Sequence, residues 1–442
     1  MKQNGSGMKT IYSALASLVP RFARHQGGNL AITFGIIIIP VTLTVGVAVD
    51  YGYASRTKAA LDALADAAAL SAVTKSALDL SAADAKTAAL NMFEAQAAAI
   101  SRIKSNTVNA TITESNGVRT AVIDYTAVVP NAFMGLAGID ELTLNGESTA
   151  TSNIPTYIDF YLLLDNTPSM GVGATTNDIA TMVSNTSDQC AFACHDLNDA
   201  NNYYNLAKKL GVTTRIDVMR LATQQMMDSA TSTELVAGQY RAAIYTFGSS
   251  ATTAGLSTIT PLTATLSNAK AAASNIDLMT VQGQGQNNDQ DTDVDSVLAA
   301  MSNKIPDPGT GVTESSPQKV LFFVSDGVAD ENNSTSCSQP TTNGRCQEPI
   351  NVALCTAIKN RGIKIAALYT TYLDLPTNAW YNKWISPFNP GPYGPSVNSQ
   401  IAANMKSCAS PGYYFEVSPT DGIPQAMLTL FKKVVEQARL TK

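Results

Sequence analysis

The chain has 442 residues, of which 45% are hydrophobic and only 14% are charged, and its net charge is −6. This length favours two or three domains. A high apolar content with low charge excludes a disordered protein. The sequence has no Lys/Arg-rich run, which argues against nucleic acid as a partner. Its only histidines are His25 and His195, too few for most acid–base or metal sites, so we predict that it is not an enzyme.

The N-terminal region has the charge pattern of a membrane anchor. Residues 30–49 contain no ionisable group and, as a helix, would span a bilayer core of about 30 Å. Asp50 is the first acid, and four basic residues precede the stretch: Lys2, Lys9, Arg21 and Arg24. We predict a cytoplasmic segment over 1–28, a single transmembrane helix over 29–50 and an exported bulk. The alternatives are a cleaved signal peptide, whose apolar region is usually shorter, and a buried core helix.

Residues 51–153 have the pattern of a small α+β domain. The alanine-rich stretch 50–77 predicts that the membrane helix continues into the aqueous phase. Ser81 and Asp84 form a capping-box pattern for a second helix over 81–103. Two alternating Val/Ile/Thr segments on either side of 115–117 predict a hairpin, and residues 141–152 predict a third strand. A long helix followed by a small antiparallel sheet resembles a pilin.

From residue 156 to 442, apolar strands alternate with helices, which predicts a doubly wound α/β domain with a parallel sheet. The strand candidates are 157–164, 240–247, 319–325, 364–372 and 413–417. The helix candidates are 214–231, 264–279, 292–303, 349–361, 398–407 and 421–440. Three Asn/Thr/Pro/Cys-rich insertions near 172–213, 328–348 and 373–397 lie at strand-to-helix junctions, where functional loops gather.

All six cysteines follow the predicted span, and an even count in an exported segment indicates disulfides. The count alone leaves their connectivity open. Local spacing favours Cys190–Cys194, Cys337–Cys346 and Cys355–Cys408. The run from Cys190 to His195 differs from a haem-attachment motif, because it has one residue too many between its cysteines.

Oxygen donors occur where an open α/β sheet binds ligands. Asp165, Thr167 and Ser169 follow the first buried strand, Thr292 opens a helix, and Asp326 ends another buried strand. Oxygen-only donors with two carboxylates suit a hard cation such as Mg²⁺ or Mn²⁺. Taken alone, the first three residues are equally typical of a helix cap or turn.

These five residues resemble the metal-ion-dependent adhesion site of von Willebrand factor A domains, with its D-x-[ST]-x-S motif, its threonine heading a helix and its aspartate in [ST]-D-G. The resemblance covers about 156–440 and implies one bound ion, Mg²⁺ or alternatively Mn²⁺ or Ca²⁺. It implies that Thr167 and Ser169 coordinate the ion directly, Thr292 directly or through water, and Asp165 and Asp326 largely through water. A carboxylate of a protein partner would complete the coordination.

The segment GNLAITFGIIIIPVTLTVGVAVDYG, with the alanine-rich helix after it, resembles the TadE/TadG-like segment of tight-adherence (Flp) pilus-assembly proteins. A TadG-like protein combines this segment with an adhesion-type A domain. The resemblance implies a single-pass assembly factor of the bacterial inner membrane, with a periplasmic bulk that binds other pilus-assembly components. Prepilin-type cleavage after Gly28 would want a glutamate where Thr33 stands, which favours a retained anchor. The alternative function is a structural pilus component or tip adhesin.

Two further patterns have simpler interpretations. The acids at 289, 291, 293 and 295 do not form an EF-hand, because Val294 replaces the required glycine, and we interpret them as favourable charges at a helix start. A hydrolase would need a base beside Ser169, and His195, the one exported histidine, is expected at the surface of an insertion.

An aromatic cluster in the third insertion has two open interpretations, a partner-binding patch or the local core of a long loop. Its members are Trp380, Tyr381, Trp384, Phe388 and Tyr393.

Overall fold

A computed structural model describes residues 28–442 except 79, 116, 197, 284–291, 332–336, 339, 341–344, 418–421 and 441–442. The chain forms two compact units. The N-terminal unit ends at Asn153 and omits Ser115–Gly117, and the C-terminal unit contains those three residues and Ile154–Lys442. The basic residues on which the predicted orientation depends, Lys2 to Arg24, lie outside the described residues.

One long helix dominates the N-terminal unit. Helix α1 covers Gly28–Ser71 without a break, which confirms that the apolar stretch continues into the alanine-rich one. In the described part of the chain, only this helix is long and apolar enough to cross a membrane, and its apolar window is 6% buried. The short α2 (Lys75–Leu78) and α3 (Ala82–Ala97) follow.

Helix α3 begins as the capping pattern predicts, because the Ser81 hydroxyl accepts a hydrogen bond from the Asp84 N–H at 3.1 Å. It ends at Ala97, six residues before the predicted end. Arg102 takes a left-handed φ of 64°, and the Lys104 N–H donates to the Val128 carbonyl at 2.8 Å, so the chain here turns into the sheet. Pairing with the sheet therefore ends α3 earlier than its helix propensity predicts.

The three predicted strands form a sheet in the order β1-β2-β3, with β1 over Ser105–Ser115, β2 over Val118–Pro130 and β3 over Glu141–Asn153. Strands β2 and β3 are antiparallel and paired from Val118–Asn153 to Pro130–Glu141. Inward side chains of β2 pack with α1 and α3 in one core that includes Leu61, Phe93, Ile123 and Tyr125.

The C-terminal unit contains ten strands among its described residues: β4 Ile158–Leu164, β5 His195–Asp196, β6 Tyr240–Thr246, β7 Ser257–Thr263, β8 Thr280–Val281, β9 Gln318–Ser325, β10 Val328–Glu331, β11 Cys346–Pro349, β12 Lys364–Thr370 and β13 Tyr414–Val417. Six of them form the main sheet in the order β13-β12-β9-β4-β6-β7. The β5/β8 and β10/β11 pairs form two small sheets. All five predicted strands of the main sheet are confirmed and run parallel.

Helices cover both faces of this sheet, as a doubly wound fold requires. They are α4 Thr176–Asn185, α5 Tyr203–Leu210, α6 Arg215–Thr233, α7 Leu266–Ala273, α8 Val294–Lys304, α9 Val352–Asn360, α10 Gln400–Cys408 and α11 Ile423–Leu440. Helices α6, α7 and α11 pack on one face, around Phe160 and Phe322. Helices α8, α9 and α10 pack on the other face, around Leu163 and Phe323.

The sheet has one edge strand that was not predicted, in addition to the five parallel strands. Strand β7 pairs antiparallel with β6, because the ten residues between them are too few for a helical crossover. The sequence of β7, STITPLT, is polar and contains Pro261, which is tolerated at a sheet edge. Such a strand lacks the continuous apolar run by which its neighbours were predicted.

Two of the three favoured disulfides are confirmed, Cys337–Cys346 and Cys355–Cys408. The Cys190–Cys194 pairing is wrong, since neither thiol is disulfide-bonded. The Cys190 sulfur is turned toward Phe192, whose N–H lies 3.4 Å from it. Two cysteines that are close in sequence form a disulfide only where their side chains point toward each other.

A buried charge cluster joins three adjacent strands at their amino ends. The Asp159 carboxylate on β4 accepts two hydrogen bonds from Arg241 on β6, at 2.6 and 2.9 Å, and one from Lys319 on β9 at 2.5 Å. The three residues face one another in the strand register. Asp159 is fully buried and Lys319 nearly so, so each charge depends on the others for solvation.

We expect Asp159→Ala to lower the free energy of unfolding by about 3–5 kcal/mol, because it leaves Lys319 buried without an anion. Denaturation can be followed by tryptophan fluorescence, since Trp380 and Trp384 both lie in the C-terminal unit. The matched control is Asp307→Ala, which breaks an exposed pair with Arg361 and should cost about 1 kcal/mol or less. Equal losses in the two variants would contradict the structural role given to Asp159.

Candidate metal centre

The strand order places two aspartates side by side at the carboxyl edge of the sheet. Chain order reverses between β4 and β9, which is the position where open α/β sheets bind ligands. Asp165 directly follows β4, and Asp326 directly follows β9. The Asp165 N–H donates to the Val324 carbonyl at 2.9 Å, which extends the strand pairing up to the site.

The turn after β4 brings three predicted ligands together. Asp165 Oδ1 accepts hydrogen bonds from the N–H of Thr167 at 3.0 Å and from its hydroxyl at 2.7 Å. The hydroxyl oxygens of Thr167 and Ser169 are 3.2 Å apart. Pro168 opens a short 3-10 helix over Pro168–Gly171, and Met170 anchors this helix in the core.

Asn166 fixes this turn from the opposite side. Its side-chain amide donates to the carbonyls of Gly248 at 2.7 Å and Asp277 at 3.1 Å, and its Oδ1 accepts from the Phe247 N–H at 3.0 Å. The turn is thereby tied to the end of β6 and to the loop before β8.

Ser325 connects the two aspartates. Its hydroxyl donates to Asp165 Oδ2 at 2.6 Å and accepts from the Gly327 N–H at 2.9 Å. Gly327 has φ of 76°, and a Cβ there would lie 2.7 Å from Met405 Cγ. The Ser-Asp-Gly sequence therefore combines a hydrogen-bond bridge, a carboxylate and a turn that only glycine fits.

The electrostatics of this pair are unfavourable without a further cation. Asp165 and Asp326 are both fully buried. Burial, and then the charge of Asp326, raise the pKa of Asp165 to about 7. Arg215 Nη1 lies 3.8 Å from Asp326 Oδ2, which has no hydrogen-bond partner among the described residues. Among the described residues, Arg215 forms an ion pair with Asp326, whereas Asp165 accepts hydrogen bonds from Ser325 and Thr167.

Thr292 is held nearby through its backbone. Its N–H and carbonyl each pair with Asp330, four residues after Asp326, at 3.0 Å. Helix α8 starts two residues later with Asp293 as its cap, because the Asp293 carboxylate accepts from the Ser296 N–H at 3.0 Å. Among the described residues, neither Thr292 nor Asp326 takes part in the hydrogen bonds that link Asp165, Thr167 and Ser169. Asp289 and Asp291 of the acidic run lie outside the described residues.

The residues present fit a hard divalent cation. The donors are hydroxyl and carboxylate oxygens. Within the described residues, Asp326 Oδ2 has no hydrogen-bond partner, and the two buried carboxylates outnumber the one guanidinium beside Asp326. Thr167, Ser169, Asp165 and Asp326 could hold such an ion, and Thr292 is the fifth predicted ligand.

Residues 28–89 match a protein-family model described as putative Flp pilus-assembly TadE/G-like. They comprise α1, α2 and the first half of α3. Residues 28–89 are a TadE/G-like segment. No curated protein matches the chain.

The C-terminal unit is an α/β fold in which helices cover both faces of a six-stranded, mostly parallel sheet. The chain is similar to the von Willebrand factor domain of the type V pili tip protein Mfa5 from Porphyromonas gingivalis, at 10% identity and a TM-score of 0.35, over 64% of this chain and 96% of that one. It is also similar to the pilus adhesin SpaC from Lactobacillus rhamnosus GG in its open conformation, at 11% identity and a TM-score of 0.34, over 76% of this chain and 34% of that one. A third similar structure is the ArnB paralog VWA2 from Sulfolobus acidocaldarius, at 10% identity and a TM-score of 0.25, over 74% and 54%. Similarities of this size carry no argument about ligands or partners.

Two residues of the C-terminal unit that the sequence did not predict also belong to the site. Arg215, the first residue of α6, is fully buried, donates to the Thr371 carbonyl at 2.9 Å, and stacks 4.7 Å from the centre of the Tyr372 ring. Burial, and then the charge of Asp326, raise the pKa of Tyr372 well above its usual value. The sequence signal for Arg215 is the capping box of Thr214 and Asp217, which places it at a helix start after an insertion.

The other candidate groups lie elsewhere. His195 is half-buried, with Nδ1 3.3 Å from the Leu278 carbonyl and its ring 4.9 Å from that of Tyr204. Ser169 and His195 are not hydrogen-bonded to each other in the described part of the chain.

The aromatic cluster of the third insertion is the core of a long loop. Tyr381 is buried, and Trp380 packs edge-on to Phe192 of the first insertion and donates to Gln347 of the second at 2.8 Å. The three insertions therefore interlock, and most of this aromatic surface is used internally.

Asp165 should make the stability of the metal-free protein depend on pH. Its pKa is higher in the folded state, about 7, than in the unfolded state, near 3.8, so the folded state binds more protons. The free energy of unfolding should therefore fall as pH rises from about 4 to about 7, with no further loss from this group above that range. Urea titrations of the full chain in EDTA can measure this fall, and Asp165→Asn should reduce it. Parallel pH curves for the two proteins would contradict the assignment.

Proposed function

We propose that the chain is a membrane-anchored Flp/Tad pilus-assembly factor whose C-terminal unit binds partner proteins through a divalent cation. The family match of the N-terminal segment supports a role in a pilus system. The observation that carries the metal-dependent part is the buried pair of Asp165 and Asp326, with Asp326 Oδ2 lacking a hydrogen-bond partner among the described residues and the Thr167 hydroxyl on Asp165, 3.2 Å from that of Ser169.

Each residue has a role in this proposal. Thr167 and Ser169 coordinate the cation through their hydroxyls, and Thr292 coordinates it directly or through water. Asp165 and Asp326 hold the cation largely through water and hydrogen bonds. When bound, the cation, Mg²⁺ or alternatively Mn²⁺ or Ca²⁺, supplies positive charge and an open coordination position. A carboxylate from a partner, expected to be another pilus-assembly component, fits such a position.

The surrounding residues act on these ligands. Ser325 fixes the direction of the Asp165 carboxylate, and Asn166 fixes the turn that carries the two hydroxyls. Arg215 offsets part of the charge on Asp326. The proposed function is binding, and a hydrolase reaction at Ser169 finds no support among the described residues, where its hydroxyl lies 3.2 Å from that of Thr167 and is not hydrogen-bonded to His195.

We expect Asp165→Asn and Asp326→Asn to weaken Mg²⁺ binding about 10–100-fold, because each removes a charge that orients the ion's water ligands. Thr292→Ala should act in the same direction. Calorimetric titration of the full chain in detergent measures the affinity, and Mg²⁺ well above its dissociation constant should add about 1–3 kcal/mol to the stability of the unsubstituted protein and less to these variants. The matched control is Glu314→Ala, an exposed acid just before β9 and therefore at the opposite edge of the sheet.

The same variants test partner binding. Crosslinking and capture from membranes should recover a partner with Mg²⁺, and the yield should fall with EDTA or with Asp165→Asn but not with Glu314→Ala. Capture that is independent of metal and of these residues would reject the proposal. Recovery of the chain in sheared pili, and not in the membrane fraction, would instead support the structural or tip-adhesin function.

The proposed orientation has the N-terminus in the cytoplasm and the C-terminal unit in the periplasm, anchored in the inner membrane. Its support is the basic N-terminal sequence and the two disulfides, which indicate an oxidising compartment. A periplasm-dependent reporter fused after Lys442 should be active, and a cytoplasm-dependent reporter should be silent. The reverse result would contradict the orientation.

A further inference from the structure

The loop between β2 and β3 exposes three large apolar side chains. Residues 131–140 have the sequence NAFMGLAGID, which is uncharged up to Asp140. Phe133, Leu136 and Ile139 are 44%, 78% and 46% exposed. A cluster of this kind on a short loop indicates an interaction surface.

This loop is fixed to the end of the apolar part of α1. The buried Asp50 carboxylate accepts hydrogen bonds from the N–H groups of Ala132 at 3.0 Å, Phe133 at 2.7 Å and Met134 at 2.7 Å. A Cβ on Gly46 would collide with the Phe133 side chain, so Phe133 lies directly against the helix one turn before Asp50.

Strands β2 and β3 form a hairpin with the loop between them, and this hairpin runs along α1 toward the apolar stretch. At the start of β2, Arg119 donates to the carbonyls of Ala77 and Leu80. In the middle of β2, the Tyr125 hydroxyl donates to Asp62 at 2.7 Å. The contacts thus progress from the segment after α1, at Ala77 and Leu80, through Asp62 to Gly46, which lies inside residues 30–49. The loop is therefore the part of the hairpin that reaches the uncharged stretch.

The position of the water boundary follows from the residues after Asp50. Tyr51 is exposed, and Arg102 stacks 4.6 Å from the centre of the Tyr53 ring. Tyrosines are enriched at membrane–water interfaces, and arginines near helix ends extend to that level. Three N–H donors offset the Asp50 charge, which makes this acid tolerable at the boundary. Phe133, packed on Gly46, then lies on the hydrocarbon side.

We propose that residues 131–140 insert Phe133, Leu136 and Ile139 into the bilayer leaflet in which the span ends, as a second, interfacial membrane contact beside α1. The occupant of this surface is lipid, because Phe133 packs against Gly46 in the apolar stretch of α1 and the loop has no charged residue from Asn131 to Ile139. The loop would fix the depth and tilt of α1 and hold the hairpin against the membrane. This inference concerns the N-terminal unit and does not depend on a metal.

The test uses the full chain in phosphatidylcholine/phosphatidylglycerol vesicles with and without bromine-labelled acyl chains, which quench tryptophan on contact. The added tryptophan of Leu136→Trp is measured by subtracting the signal of the unsubstituted chain, which keeps Trp380 and Trp384. We expect about a twofold or greater loss of its intensity in bromolipid, since interfacial side chains reach the acyl boundary. The matched control, Leu70→Trp, is also exposed but lies about 30 Å further along α1 and should not be quenched.

Asp50→Asn tests the attachment of the loop, because it removes the charge that holds three N–H groups. Combined with Leu136→Trp, it should reduce the quenching, while α1 remains inserted. Absence of quenching in Leu136→Trp, or equal quenching at positions 136 and 70, would overturn the proposal. Emission that depends on protein density and not on bromolipid would show contact with a second copy and would also overturn it.

Discussion

The C-terminal unit is organised around two carboxylates buried next to each other at the carboxyl edge of its sheet. Removing Asp165 and Asp326 from water is costly, and one guanidinium at 3.8 Å with a few hydroxyl and N–H donors offsets this cost only in part. Neighbouring features support the arrangement: Asn166 ties the turn after β4, and Gly327 permits the turn after β9. A fold that keeps such a pair is suited to a cation.

At the opposite edge of the same sheet, the charge of a buried carboxylate is fully compensated. Asp159 is also fully buried, but it accepts three hydrogen bonds from two cationic side chains in register on the neighbouring strands. One edge thus uses a buried carboxylate for stability, whereas at the other edge Asp326 Oδ2 accepts no hydrogen bond from any residue that the structure describes. This contrast within one sheet is the reason to assign function to the carboxyl edge. In the N-terminal unit, residues 131–140 form the proposed membrane contact at the end of the apolar part of α1.

The sequence predicted those elements whose signal is local. Continuous apolar runs identified the five parallel strands, and their order placed Asp165 and Asp326 at adjacent strand ends. Strand β7 was missed because an exposed, proline-containing edge has no such run. Arg215 was missed because it reaches Asp326 from more than a hundred residues away, through a helix start that only the fold positions. The Cys190–Cys194 pairing failed for the related reason that spacing does not determine side-chain direction.

The central claim is that the buried carboxylates and hydroxyls hold one divalent cation. Crystals of the full chain grown with Mn²⁺ would test it most directly, through the anomalous signal of manganese. The account predicts a single peak in this unit, in contact with the hydroxyls of Thr167 and Ser169 and adjacent to Asp165 and Asp326. No peak there at saturating Mn²⁺, with Arg215 remaining the sole cation beside Asp326, would contradict it.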